Sequence, residues 1–136
     1  MIERRDFLKG SVAAVSILAL GRSGKAFASE DQKFAGIIYT KDNPGRWAGK
    51  EGIHTPEISL AGNMVTIKTT KHPMTPEHFI VRHTLVLGDG TVVGGTTFTA
   101  ADTPQSSYEL PAGYKGKIFA TSFCNQHDFW LNEAEV

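Results

Sequence analysis

The sequence predicts an all-β domain, a sandwich of about seven strands. Three observations predict it. Short runs in which apolar and polar residues alternate recur along the chain. Glycine- and proline-containing turns separate these runs at regular spacing, and the stretch 30–52 offers no helix of useful length.

The first element is a leader. Arg4 and Arg5 precede Phe7-Leu8-Lys9, a mildly apolar run follows from Ser11 to Leu20, and Ala26-Phe27-Ala28 supplies a small-residue pattern. This resembles a twin-arginine export signal cut after Ala28, because ten weakly apolar residues fall short of the roughly 20 that span a bilayer. Residues 1–28 are thus assigned to a signal peptide and 29–136 to one folded domain, with export to the periplasm or beyond and no membrane anchor after cleavage. Of the 136 residues, 108 would remain, enough for one compact core.

An irregular segment comes next, residues 30–52, anchored by Phe34, Ile37, Ile38 and Trp47. Glu57 to Leu60 and Met64 to Thr69 alternate around Ala61-Gly62-Asn63, a hairpin pattern. Phe79 to Leu87 is a longer β-branched run, turned at Gly88-Asp89-Gly90 into Thr91 to Phe98. Ser106 to Leu110 and Lys117 to Cys124 follow, joined through Pro111-Ala112-Gly113. Such strands at even spacing suggest a sandwich like that of immunoglobulins, with no internal repeat and no second domain.

Charge narrows the partners. The whole chain has 14 basic and 14 acidic side chains; the leader takes five basic and two acidic ones, leaving nine and twelve, a net of −3. Nucleic-acid binders show a basic excess, so nucleic acid is not an expected partner. Cys124 is the only cysteine. In an exported protein it is a free thiol, an intermolecular bridge or a metal ligand. The twin-arginine route carries folded proteins that have acquired cofactors, which favours the ligand.

All five histidines lie beyond the leader. His54 is expected to open a strand after Gly52, His72 to sit in the loop Lys71-His72-Pro73-Met74-Thr75-Pro76, and His78 to begin the next strand. His127 is expected in the loop after the last strand, three residues from Cys124. These four and the cysteine fall beside turns, where a sandwich gathers its connections. Imidazole and thiolate are the usual ligands of late first-row metals. His83, in mid-strand and five residues from His78, is expected on the opposite face as a partly buried or surface residue. Trp47, Phe123, Phe129 and Trp130 are expected to pack in the core or the wall of the site, and Glu77 to face solvent.

Structural zinc takes four ligands, one fewer than this set. Blue copper takes two histidines, a cysteine and a weak axial methionine, and no methionine follows His127. Four equatorial imidazoles with an axial thiolate suit a square-pyramidal iron whose sixth position is open.

His54-Thr55-Pro56, His72-Pro73-Met74-Thr75-Pro76-Glu77-His78-Phe79-Ile80 and Cys124-Asn125-Gln126-His127-Asp128-Phe129-Trp130 together resemble the ferrous centre of the superoxide reductases, the neelaredoxin and desulfoferrodoxin family. The likeness runs from about Trp47 to Trp130. It implies an immunoglobulin-like sandwich and a mononuclear Fe2+/Fe3+ site, with His54, His72, His78 and His127 in the plane and Cys124 trans to the open position. It also implies reduction of superoxide to hydrogen peroxide, backbone N–H groups of the Asn125 to His127 turn bonded to the sulfur, and association into homo-oligomers. A lone cysteine cannot build a rubredoxin-like site, so an external electron donor is needed, such as a rubredoxin-like protein or a cytochrome.

Two positions depart from the family pattern. Its Glu-Lys pair before the first histidine, which attracts superoxide and caps the oxidised metal, is replaced by Gly52-Ile53. Lys50-Glu51 just upstream is the candidate substitute, with Lys71 a second source of attraction and a solvated loop pair the alternative. Asp128 stands where the family has glycine. Two other functions stay open for the residues themselves, a cupredoxin-like copper electron carrier and a non-catalytic metal-binding accessory domain.

Overall fold

The computed structural model describes residues 36–136, so the leader and its cleavage site lie outside the described residues. Eight strands form two sheets: β1 (Ile38–Tyr39), β2 (Glu57–Ala61), β3 (Met64–Lys68), β4 (Ile80–Leu87), β5 (Val92–Thr97), β6 (Gln105–Glu109), β7 (Lys117–Cys124) and β8 (Asp128–Glu135). One sheet has the order β1-β8-β7-β4-β5, the other β2-β3-β6. All neighbours are antiparallel except β1, which runs parallel to β8. A 3-10 turn, Gly45–Trp47, and one helical turn, α1 (Glu51–His54), precede β2. The expected all-β sandwich is thus present, with two strands beyond the six located in the sequence: β8, and β1, which lies in the stretch 30–52 expected to be irregular.

Period-two alternation builds the core. Val65 and Ile67 of β3, Leu85 and Leu87 of β4, and Ile118 and Ala120 of β7 point inward and pack as one buried cluster with Leu110. A second cluster, Ile80, Phe98 and Cys124 with Met74 against it, lies at the other end of β4 and β7. The inward row of β7 continues through Ser122 to Cys124, so the alternation that buries Ile118 also delivers the thiol to the interior.

Four expectations about elements change. β8 exists, so His127 lies in the turn of a β7–β8 hairpin rather than beyond the last strand. His54 ends α1 instead of opening a strand: its ring bonds the Lys50 carbonyl four residues back, and Thr55, which precedes Pro56, leaves the helical region at ψ 122. His78 forms a bridge with Thr75, and β4 begins two residues later. His83 is fully buried, because a bulge between Ile80 and Arg82 resets the alternation and turns both Ile80 and His83 inward.

Candidate metal centre

Three segments converge at one end of the sandwich. α1 supplies His54, the loop after β3 supplies His72 and His78, and the β7–β8 hairpin supplies Cys124 and His127. The hairpin is locked to the His78 segment by Asn125. Its carboxamide oxygen accepts the Phe79 N–H at 3.0 Å, its amide donates to the Glu77 carbonyl at 3.1 Å, and Gln126 donates to the same carbonyl at 2.6 Å. Glu77 itself is exposed, as expected.

Ring orientation follows from bonds to the main chain. His54 Nδ1–H donates to the Lys50 carbonyl at 2.8 Å and His72 Nδ1–H to the Pro73 carbonyl at 2.6 Å. A carbonyl only accepts, so both Nδ1 atoms carry the proton and both Nε2 atoms are bare lone pairs. Those two Nε2 atoms face each other at 3.1 Å. No hydrogen bond between them is available to a neutral pair, and burial pushes both rings down to about 4, which keeps them neutral. Two converging lone pairs in a dry site call for a cation.

The other donors extend this pair. His78 Nε2 lies 3.1 Å from His72 Nε2, and His127 Nδ1 lies 3.1 Å from His78 Nε2. Cys124 Sγ is 3.4 Å from His72 Nε2 and 3.6 Å from His127 Nδ1. His54, His72, His78 and Cys124 offer donor atoms within 4.8 Å of one another, and His127, outside that group, reaches it through His78 and Cys124. Three successive nitrogen contacts of 3.1 Å, from His54 through His72 and His78 to His127, bring these donors within reach of one shared cation. The donor set, three Nε2, one Nδ1 and one sulfur, suits a late first-row metal.

Burial raises the Cys124 thiol above its usual range, while backbone N–H groups of Gln126 and His127 oppose the rise and the Asp128 carboxylate adds to it. The Gln126 N–H points at Sγ from 3.5 Å. A buried thiol of this kind becomes a thiolate when a cation shares the site. His78 and His127 are also lowered, by burial first, and the Lys50 charge adds to the lowering at His54, His78 and His127.

Lys50 therefore acts electrostatically on three of the four rings, and among the described residues it forms no ion pair. Glu51 turns back to accept the Gly49 N–H at 2.7 Å and lines a cleft with Gly52, Thr55, Glu57 and Lys71. Lys71 is paired with Glu57 at 3.2 Å. Gly52 and Ile53 are exposed, offering no charge.

Aromatics wall the site. Trp130 is fully buried, stacks on His54 at 5.3 Å and donates its indole N–H to the His127 carbonyl at 2.8 Å. Trp47 meets His127 edge-on at 4.6 Å, while Phe123 and Phe129 pair with each other, Phe129 being 44% exposed. What fixes Trp47 was not legible in the sequence: Asp128 accepts its indole N–H at 3.1 Å and the Arg46 guanidinium at 2.6 Å. Asp128 has φ 66, the left-handed conformation that closes a three-residue hairpin loop and favours glycine.

Comparison with known proteins agrees with this geometry. Residues 47–133 match the family model described as desulfoferrodoxin. Similar curated proteins include the superoxide reductases of Pyrococcus abyssi, 32% identical over 106 residues covering 68% of this chain and 92% of that one, and of Pyrococcus furiosus, 33% identical over 115 residues covering 68% and 93%. Among solved structures, a superoxide reductase (neelaredoxin) from Ignicoccus hospitalis superposes with a TM-score of 0.68 at 25% identity, covering 76% of this chain and 95% of that one. A superoxide reductase (neelaredoxin) from Archaeoglobus fulgidus gives 0.56 at 28%, covering 64% and 90%. With a family match across most of the described residues and relatives about one-third identical over nearly their whole length, this chain belongs to the desulfoferrodoxin family.

Proposed function

We propose that this chain is an exported non-haem iron oxidoreductase that reduces superoxide to hydrogen peroxide, using an external electron donor to restore the ferrous state. His54, His72, His78, His127 and Cys124 would hold the iron. The observation that carries this reading is the pair of bare Nε2 atoms of His54 and His72 at 3.1 Å, in a chain whose relatives are named superoxide reductases. Held there, iron would supply the single electron that, with two protons, turns superoxide into hydrogen peroxide.

The chain's own residues set the conditions. Lys50 places a positive charge close enough to perturb three of the rings, so it raises the local concentration of a small anion. Glu51 orders the loop that carries Lys50 through its bond to Gly49, and together the pair stands in for the charges absent at Gly52 and Ile53. The Gln126 N–H moderates the electron donation of the Cys124 sulfur. Burial of His54, His72 and Cys124 keeps water from their side of the site.

The leader, cut after Ala28, would deliver the folded protein to the periplasm. A rubredoxin-like protein or a cytochrome would return the electron, and a second copy of the chain is the expected oligomeric partner. The copper-carrier alternative needs a weak axial sulfur, whereas the Met74 sulfur accepts the Ile80 N–H at 3.3 Å.

Two measurements decide the matter. Elemental analysis of untagged protein should find one iron per chain; one copper and no iron would end the enzyme reading. A superoxide pulse should then oxidise the ferrous protein at a near diffusion-limited rate. Failure to do so would leave only an accessory role.

A further inference from the structure

His83 touches none of the five donors, yet it is the centre of a buried polar network that reaches two of them through the chain. Its Nδ1 lies 2.8 Å from Ser106 Oγ in β6, and its Nε2 lies 2.6 Å from Thr69 Oγ1, just past β3. Thr69 Oγ1 is in turn 3.3 Å from Ser122 Oγ in β7. All four residues are at most 7% exposed, and they come from both sheets. Burying so many polar atoms costs free energy unless every partner is in place, so the cluster tolerates little displacement of any member.

Thr69 is where this network meets the ligand loop. Its carbonyl accepts the His72 N–H at 3.0 Å and its own N–H donates to the Pro104 carbonyl at 3.0 Å. Ser122 lies two residues before Cys124 on the same inward row of β7. One hydroxyl therefore ties the loop that carries His72 to the strand that carries Cys124, and His83 fixes that hydroxyl. The donor atoms so related, His72 Nε2 and Cys124 Sγ, stand 3.4 Å apart, and a metal site needs such spacings held within about 0.5 Å.

We propose that His83 is a positioning residue for the metal centre, acting through Thr69 to set the placement of His72 relative to Cys124. This rests on the reading of the five-residue cluster as a metal site. It goes beyond that reading in giving the one histidine outside the cluster a task. An imidazole suits the task because it offers a donor and an acceptor on opposite sides of a rigid ring, which a core aliphatic cannot.

The test uses the full chain with Co2+ as probe, reading the dissociation constant by chelator competition and the sulfur-to-cobalt charge-transfer absorption. Thr69→Val, which exchanges one hydroxyl for a methyl, and His83→Leu should each weaken Co2+ binding about tenfold or more and shift the absorption. Thr69→Ser, which keeps the hydroxyl, should restore both readings. Should His83→Leu fail to fold, the Thr69 pair carries the test alone. If Thr69→Val lowers the unfolding midpoint but leaves affinity and absorption unchanged, the network only fills space and the proposal is overturned. A wild-type chain that binds neither Co2+ nor Fe2+ would overturn the metal reading itself, and this proposal with it.

Discussion

At the scale of single residues, Asp128 shows a position where local strain and a specific contact oppose each other. The left-handed backbone costs a residue with a Cβ on the order of 1 kcal/mol, and the carboxylate offsets this by accepting from Arg46 and Trp47. Asp128→Ala keeps the strain and loses both bonds, of which the part-buried one to Trp47 counts for most, so it should destabilise by about 1 kcal/mol. Asp128→Gly also loses the bonds but relieves the strain, and should cost about 1 kcal/mol less. Urea unfolding of both variants compares them, and equal costs would show that φ plays no part. Lys50 and Cys124 act on chemistry instead of stability. Lys50→Glu should slow the reaction with superoxide at low salt and matter less at high salt, since a steering field is screened over about 10 Å at 0.1 M; a defect independent of salt would point to a contact role. Cys124→Ser should abolish reduction while the domain stays folded, because a hydroxyl is a far weaker ligand than a thiolate. Full activity in that variant would remove the sulfur from the site.

Among the elements, β5 is shaped by what crosses it. A Cβ at Gly94 would sit 2.7 Å from Cδ1 of Tyr108, whose hydroxyl is bonded to Thr96 at 2.7 Å, so the ring cannot retreat without losing that bond. Gly94→Ala should therefore lower stability by about 1–3 kcal/mol through overpacking, seen as a fall in thermal midpoint; an unchanged midpoint would mean that β6 shifts freely. The strands from β2 to β7 were legible in the sequence because their alternation is regular and their turns carry glycine or proline. β8 was not, because Phe129-Trp130-Leu131 is a solid apolar run followed by the polar Asn132-Glu133, a pattern with no clear period of two. Neither was α1, a single turn closed by the His54 side chain, nor the bulge that turns His83 inward. The convergence of His54, His72, His78, Cys124 and His127 could be anticipated because each lies beside a turn and the turns gather at one end. The partners that orient them, Asn125 and Trp130 among others, reach across elements whose pairing the sequence does not declare.

At the scale of the molecule, the interior is layered. The apolar cluster around Val65, Ile67, Leu85 and Ile118 fills one end, the donor set occupies the other, and the His83 network lies between them. That layer makes folding sensitive to acid. The groups facing His83 are the hydroxyls of Thr69 and Ser106 and the ring of Phe98, none of them charged, and burial pushes the imidazole from its usual value near 6.5 down to about 4. The unfolded chain takes up a proton near pH 6.5 while the folded chain resists until about pH 4, so between these values unfolding binds an extra proton. His83 thus contributes its full stability above about pH 6.5 and loses it progressively as the pH falls, by about 3 kcal/mol at pH 4. His83→Gln should be less stable at neutral pH through its altered bonds, but its stability should fall less steeply over this range. The measurement is urea unfolding of the metal-free chain from pH 7.5 to pH 4, wild type against variant, so that titration of the ligand histidines is common to both. Parallel curves would mean that the buried imidazole exchanges its proton as readily folded as unfolded, and that the polar layer is open to water.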